Sequence, residues 1–188
     1  MNTCDQQIIE PKEKVGLVVV ITGSGKGKTT SAMGMVLRAV GHGLRVCVVQ
    51  FMKGDFYSGE TDGLRMLKPQ VEHHIIGKGY YGIRGNQVPH NEHRSIAQEA
   101  IRLAKERMLS GKFDILICDE INNLVKLKLV DLSQVLDLIE NKPPLVHLIL
   151  TGRDAHPRVI EQGHTVSIVQ EMKHAYREGI EAQKGIDY

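Results

Sequence analysis

Nine residues, TGSGKGKTT at positions 22–30, constrain the fold more than any other stretch of this chain. They stand between an apolar run, GLVVVI (16–21), and the helical-looking AMGMVLRAV (32–40). A strand, a glycine-rich loop ending Gly-Lys-Thr-Thr and a helix are the context of a phosphate-binding P-loop. In that arrangement backbone N–H groups of the loop and the first helical turn converge on an anion, and the helix dipole adds to their field. Gly23, Gly25 and Gly27, interleaved with Ser24 and Lys26, let the backbone come close to phosphate oxygens at φ angles that side chains forbid. Lys28 would lay a positive charge on those oxygens, and Thr29 would offer its hydroxyl to a magnesium ion. Counting back from Gly27-Lys28-Thr29, the first glycine of the usual pattern falls at position 22, where this chain has Thr22. An ordinary strand-to-helix turn, with glycines there for geometry alone, is the competing reading.

A second motif weighs against that alternative. FDILICDE (113–120) is an apolar strand ending in acid, the usual partner of a P-loop, because its carboxylate reaches the magnesium directly or through water. Asp119 and Glu120 point to opposite faces if the strand continues through them, so one faces the metal and the other can cap the next helix. LVHLILTG (145–152) brings Arg153 to the same carboxyl edge, where it either reaches a triphosphate or forms a surface ion pair. RVCVVQF (45–51), VEHHII (71–76) and HTVSIVQ (164–170) read as further strands. Helical spacing marks segments near 60–68, 91–110 and 132–139, the last with Asp131 and Gln134 placed to cap its start. Strand and helix alternating in this way predict an α/β fold, a mostly parallel sheet with helices on both faces. At 188 residues, the chain suits one domain. Residues 1–14 read as a flexible N-terminal arm and 15–188 as the domain. GKGYYGIRGNQVPH (77–90) is the longest aperiodic stretch, a loop of functional length.

Several classes of function are disfavoured. The net charge is only +2, and the cations are scattered among carboxylates, which argues against nucleic acid as a partner. Cys4, Cys47 and Cys118 form no close pair, so neither a disulfide framework nor a zinc module is expected. No apolar run is long enough to cross a bilayer and the N-terminus lacks the features of a signal peptide, which predicts a cytoplasmic protein without a membrane partner. Among the nine histidines, His73 and His74 adjoin in a strand and face opposite ways, and His90 and His93 flank a helix start. Structural or solvated roles are expected for all four.

Taken together, TGSGKGKTT, RAVGHG (38–43), VVQFMKG (48–54), CDE (118–120), TGR (151–153) and the terminal KHAYREGIEAQKGIDY (173–188) carry a resemblance. In their order and spacing the chain resembles the P-loop corrinoid adenosyltransferases, which act on cob(I)alamin or cob(I)yrinic acid a,c-diamide. The resemblance implies a single-domain, P-loop NTPase-like (recombinase-like) fold and transfer of the 5'-deoxyadenosyl group of ATP to the Co(I) of a reduced corrinoid, with release of triphosphate. It implies triphosphate binding by Gly23, Ser24, Gly25, Lys26, Gly27, Lys28, Thr29 and Thr30, with the nucleotide in reversed sense. It also implies magnesium or manganese on Thr29 and Glu120, Arg38 turned toward the nucleotide, a homodimer, and an electron donor such as a flavoprotein. Where better-known members crowd the lower face of the corrinoid with a phenylalanine and a tryptophan, this chain has Tyr80, Tyr81 and Gly82, and no tryptophan at all. Tyr80 and Tyr81 would have to serve, or else they simply pack the loop. The rival readings are a nucleotide kinase, such as a thymidine kinase, and a nucleotide-switch ATPase that releases phosphate.

Overall fold

Six short β-branched runs form six strands, β1 (Val18–Thr22), β2 (Val46–Gln50), β3 (Val71–Ile75), β4 (Ile115–Asp119), β5 (His147–Thr151) and β6 (Thr165–Ile168). They lie in one sheet in the order β3-β2-β4-β5-β1-β6, and every pairing is parallel. The computed structural model describes residues 13–54, 57–79, 81 and 88–188. β2 and β4 are buried at every position, whereas the edge strands β3 and β6 are partly open. Near-continuous apolar runs in the middle and mixed ones at the margins are what helices on both faces require.

Between the strands run α1 (Lys28–Gly41), α2 (Gly59–Met66), α3 (His90–Leu109), α4 (Ile121–Lys126), α5 (Leu132–Glu140) and α6 (Pro157–Glu161). Their placement follows from the strand order. The connections from β1 to β2 and from β2 to β3 run one way across the sheet, and the later three run back. Right-handed crossovers therefore put α1 and α2 on one face and α3 to α6 on the other. The two hydrophobic cores match. Ala32, Val36 and Ala39 of α1 and Leu64 of α2 pack with Ile21, Val48, Ile117 and Ile149. Ala100, Ile101, Ala104 and Met108 of α3, with Leu124, Val135 and Val159, pack with Val20, Cys47, Cys118 and Leu148. Cys47 and Cys118 are free, fully buried thiols.

Chain direction reverses beside β1. α1 leaves β1 toward one face, while α4 and α6 leave β4 and β5 toward the other. The crevice outside the carboxyl ends of these strands is where open parallel sheets bind ligands.

The expected strands and longer helices are present, with boundaries moved by a few residues. Gly16 stays outside β1, its N–H donating to Pro144 O at 2.6 Å. The short α4 and α6 and a 3₁₀ turn at Ala175–Glu178 are additions to the sequence reading. Asp131 does cap α5, its N–H donating to Gln134 Oε1 at 3.0 Å. Among the described residues no helix is long and apolar enough to cross a membrane.

Candidate active site

The loop between β1 and α1 is shaped by the chain that follows β6. Gly23 sits at φ +106°, and a Cβ there would lie 2.4 Å from the Val169 carbonyl oxygen, so both conformation and space demand glycine. The next turn is tied to the same carbonyl, with Gly25 N–H donating to Val169 O at 2.8 Å. Gly27, at φ +117°, precedes the first turn of α1. Thr22, standing where the usual loop has glycine, is 5% exposed, and its Oγ1 accepts the Ala155 N–H at 3.1 Å. Its side chain thus fastens the mouth of the loop to the segment carrying Arg153. Lys28 curls back on its own loop and donates from Nζ to Gly25 O at 2.6 Å. Burial, then the neighbouring Arg153, pulls its pKa below the ordinary lysine value.

Behind the loop lies a buried polar knot. Asp119, at the end of β4, shares the α1 face with Gln50 of β2 and Thr151 of β5, because side chains alternate along each strand. Asp119 Oδ1 accepts from the Thr29 hydroxyl at 2.9 Å and from the Thr151 hydroxyl at 2.7 Å, and Oδ2 accepts from Gln50 Nε2 at 3.0 Å. Gln50 Oε1 meets His73 Nε2 at 2.8 Å. Thr151 Oγ1 also accepts the Glu120 N–H at 2.9 Å. A hydroxyl has a single proton, and a carboxylate only accepts. Thr29 therefore gives its proton to Asp119 and keeps its lone pairs for the crevice.

Glu120 adopts a left-handed conformation, φ 69°, at the turn from β4 into α4. A non-glycine residue held there is uncommon and costs backbone strain. The turn aims its side chain into a cavity of about 490 Å³ that also presents Lys28, Thr29, Lys53, Asn123 and Arg153. Glu120 Oε2 is buried without a hydrogen-bond partner, and burial, then Asp119, pushes its pKa up to about 7 against the pull of Lys53, Lys28 and Arg153. An orphaned buried carboxylate oxygen beside a hydroxyl with committed proton is a donor set of the all-oxygen kind that magnesium takes, so these residues fit a hard divalent cation.

Lys28, Thr29, Glu120 and Arg153, chosen from sequence, thus meet at one cavity, whose rim carries Ser24, Lys26 and Thr30. Arg38 does not join them. It is exposed in the last turn of α1, ten residues past Lys28 and so roughly 15 Å along the axis. It is not among the residues that line this cavity. Tyr81 packs edge-on against His90 and His93, each at 5.3 Å, at the start of α3. Tyr80 and Gly82 lie outside the described residues.

Lys53, the Asp119 knot and the terminal segment escaped the sequence reading. Lys53 is partly buried, donates to Ser58 Oγ at 3.0 Å and pairs with Glu60 at the start of α2. His174 and residues 185–188 line the cavity, and Asp187 pairs with Lys26 at 2.7 Å. VVQFMKG and the terminal motif held these residues, but nothing in spacing assigned them a task.

Two other polar clusters are tied internally, while Asn122, His93 and Gln162 keep buried side-chain atoms without a hydrogen-bond partner among the described residues. Ligand atoms of Cys47, Glu72 and His74 lie within 4.8 Å of one another. Arg107 already neutralises Glu72 at 2.5 Å, and burial, then Glu72, pushes the Cys47 thiol up to about 12. His73 and His74 do face opposite ways, toward Gln50 and Glu72. A wider groove of about 970 Å³ between α3 and α5 has its groups paired across it, Gln98 with Gln134 and Lys105 with Asp137.

Over residues 14–188 the chain matches the family model described as ATP:corrinoid adenosyltransferase BtuR/CobO/CobP. A corrinoid adenosyltransferase of Pseudomonas aeruginosa is 36% identical over 186 residues, 98% of this chain and 89% of that protein. The corrinoid adenosyltransferase CobA of Salmonella typhimurium is 36% identical over 98% of this chain and 91% of its own length. That of Escherichia coli K12 is 34% identical over 98% of this chain and 91% of its own length.

Proposed function

The chain belongs to the ATP:corrinoid adenosyltransferase family, and from that premise we propose how its loop and acidic strand end carry out the transfer. It is a corrinoid adenosyltransferase, moving the adenosyl group of ATP to a corrinoid. The nucleophile is the substrate's own reduced cobalt, Co(I). Its electron pair forms the Co–C bond at the ribose C5', while the C5'–O bond breaks and leaves its pair on the departing triphosphate. Co(I) carries no proton to be removed, so the protein's task is to orient the reactants and to stabilise charge on the leaving group.

Residues 23–30 cradle the triphosphate. Lys28 exchanges its contact with Gly25 O for phosphate oxygens, and the cationic head of Arg153 faces the same leaving group across the cavity. Thr29 and Glu120 hold magnesium or manganese, and Asp119 orients Thr29. The bound metal supplies divalent charge against the departing triphosphate. Filling that site would draw Glu120 back to its ionised form. The observation that carries this reading is the convergence of Lys28, Thr29, Arg153 and the unpartnered Glu120 Oε2 on one cavity.

Finer parts rest on the family resemblance: a reversed nucleotide, a homodimer, Tyr80 and Tyr81 against the corrinoid, and an outside electron donor such as a flavoprotein. Incubation with ATP, magnesium and chemically reduced cobalamin tests the whole. Spectral conversion to a light-sensitive alkyl-cobalt product with release of triphosphate is the expected result. Conversion of ATP to ADP and phosphate, with the corrinoid unchanged, would point to a kinase or switch ATPase instead.

A further inference from the structure

Asp119 is fully buried, yet among the described residues it forms no salt bridge; its hydrogen bonds come from three neutral donors. Two of them, the hydroxyls of Thr29 and Thr151, fall on Oδ1. A carboxylate held at one oxygen is free to turn about its own bond, and turning would carry the Thr29 hydroxyl with it. Oδ2 is held by Gln50. Gln50 is 1% exposed, and its amide is oriented in turn, because Oε1 takes the ring N–H of His73 at 2.8 Å. With that acceptor engaged, Nε2 has to face Asp119. One line of hydrogen bonds thus runs from β3 through β2 and β4 to the first turn of α1.

We propose that Gln50 is a positioning residue for the metal-binding hydroxyl of Thr29: it fixes the Asp119 carboxylate, and His73 fixes Gln50. This rests on the reading of Thr29 and Glu120 as the metal site. Partners of this kind, one bond behind a ligand, orient the ligand's lone pairs and typically change metal affinity about 10–100-fold when removed. Gln50 itself never touches the metal or the nucleotide. Losing it should therefore leave the phosphate cradle intact.

The test separates metal binding from nucleotide binding. Mn2+ is titrated into protein held in excess over ATP, and the loss of the free-ion electron paramagnetic resonance signal gives the metal affinity. Binding of ATP in excess chelator gives the metal-free affinity. Gln50→Met keeps the length of the side chain and removes both polar atoms. It should weaken Mn2+ binding about tenfold or more and leave metal-free ATP binding unchanged. Equal Mn2+ affinity in variant and parent overturns the positioning role while leaving the metal site standing. Equal loss of Mn2+ and metal-free ATP binding also overturns it, since a general distortion would do that. A parent protein that takes up no Mn2+ with ATP overturns the metal reading and this inference together. Should Gln50→Met fail to fold, the pair His73→Leu and His73→Gln makes the same comparison one bond further out. The leucine variant should lose Mn2+ affinity and the glutamine variant, which keeps an N–H for Gln50 Oε1, should recover it; two indistinguishable variants overturn the proposal.

Discussion

The cradle and the terminal segment that lies across it are held by opposite means. Around the loop, Thr22, Thr29, Gln50, Asp119 and Thr151 are tied by hydrogen bonds, and Thr22, Gln50, Asp119 and Thr151 are buried. In residues 171–188, local backbone turns are joined by surface ion pairs, Arg177 with Glu171, Lys173 with Glu178 and Lys26 with Asp187, and Met172 is 91% exposed. Buried polar networks hold one geometry because every alternative leaves a group unpaired. Surface pairs are individually worth little and rearrange at small cost. The half of the cavity wall that must meet developing charge is thus built from buried, mutually paired groups, and the half facing it from surface pairs.

The sharpest way to break the contrast is Lys28→Ala. Among the described residues Lys28 bonds only its own loop, at Gly25 O, so its removal should cost about 10²–10³ in rate with an unchanged unfolding midpoint. A collapse of stability instead would make Lys28 part of the scaffold. Gly23→Ala attacks the scaffold itself. Positive φ and the approach to Val169 O should cost about 1–3 kcal/mol of stability, read by chemical unfolding. A neutral result would mean that the loop yields as easily as the terminal segment.

A smaller, pH-dependent effect belongs to His73. Burial, then Lys53, holds its pKa down from 6.5 to about 4. Between those values the unfolded chain binds a proton that the folded chain refuses, so stability falls as pH drops below 6.5 and is insensitive to this group above it. The charges that act on His73 are those of Lys53, His74 and Arg65, which disfavour its protonation, and of Asp119, which favours it. Urea unfolding of parent and His73→Gln at pH 5 and pH 7 should show a shallower acid loss in the variant; parallel losses would remove His73 from the knot. The smallest effect is expected from Asp187→Asn. Its carboxyl is held below the usual range by the Gln183 N–H, then by Lys26, and the unfolding midpoint should stay where it is. A marked drop would place the terminal segment among the rigid parts.

Much of this was legible in the residues, for physical reasons. Strands covered on both faces announce themselves as apolar runs, and the strand order then decides the helix faces. Gly23, Lys28 and Thr29 could be chosen because phosphate and metal chemistry restricts both residue type and place on the sheet edge, whereas Glu120 came from the family resemblance and Arg153 stood open between a triphosphate and a surface ion pair. The choice between Asp119 and Glu120 needed more than alternation. The chain leaves the extended conformation at Glu120, whose φ of 69° sends it into the cavity, while Asp119 stays in register facing α1. Gln50 and His73 read as strand residues because their task depends on neighbours across the sheet. α4 and α6, of six and five residues, are too short for a helical period to declare itself. Arg38 was placed by motif alone, and ten residues of helix set it apart.

The two buried thiols have a consequence for handling the protein. A cobalt centre poised at Co(I) demands strong reductants, which dismantle disulfide-built proteins. Among the described residues there is no such bond to lose, since Cys47 and Cys118 are both free. Burial above all keeps both protonated, Cys47 at about 12 and Cys118 also well above the ordinary thiol value, so neither offers the thiolate that oxidation or alkylation needs. The domain core should therefore pass unchanged between the air of a purification bench and the anaerobic cuvette in which its chemistry is measured.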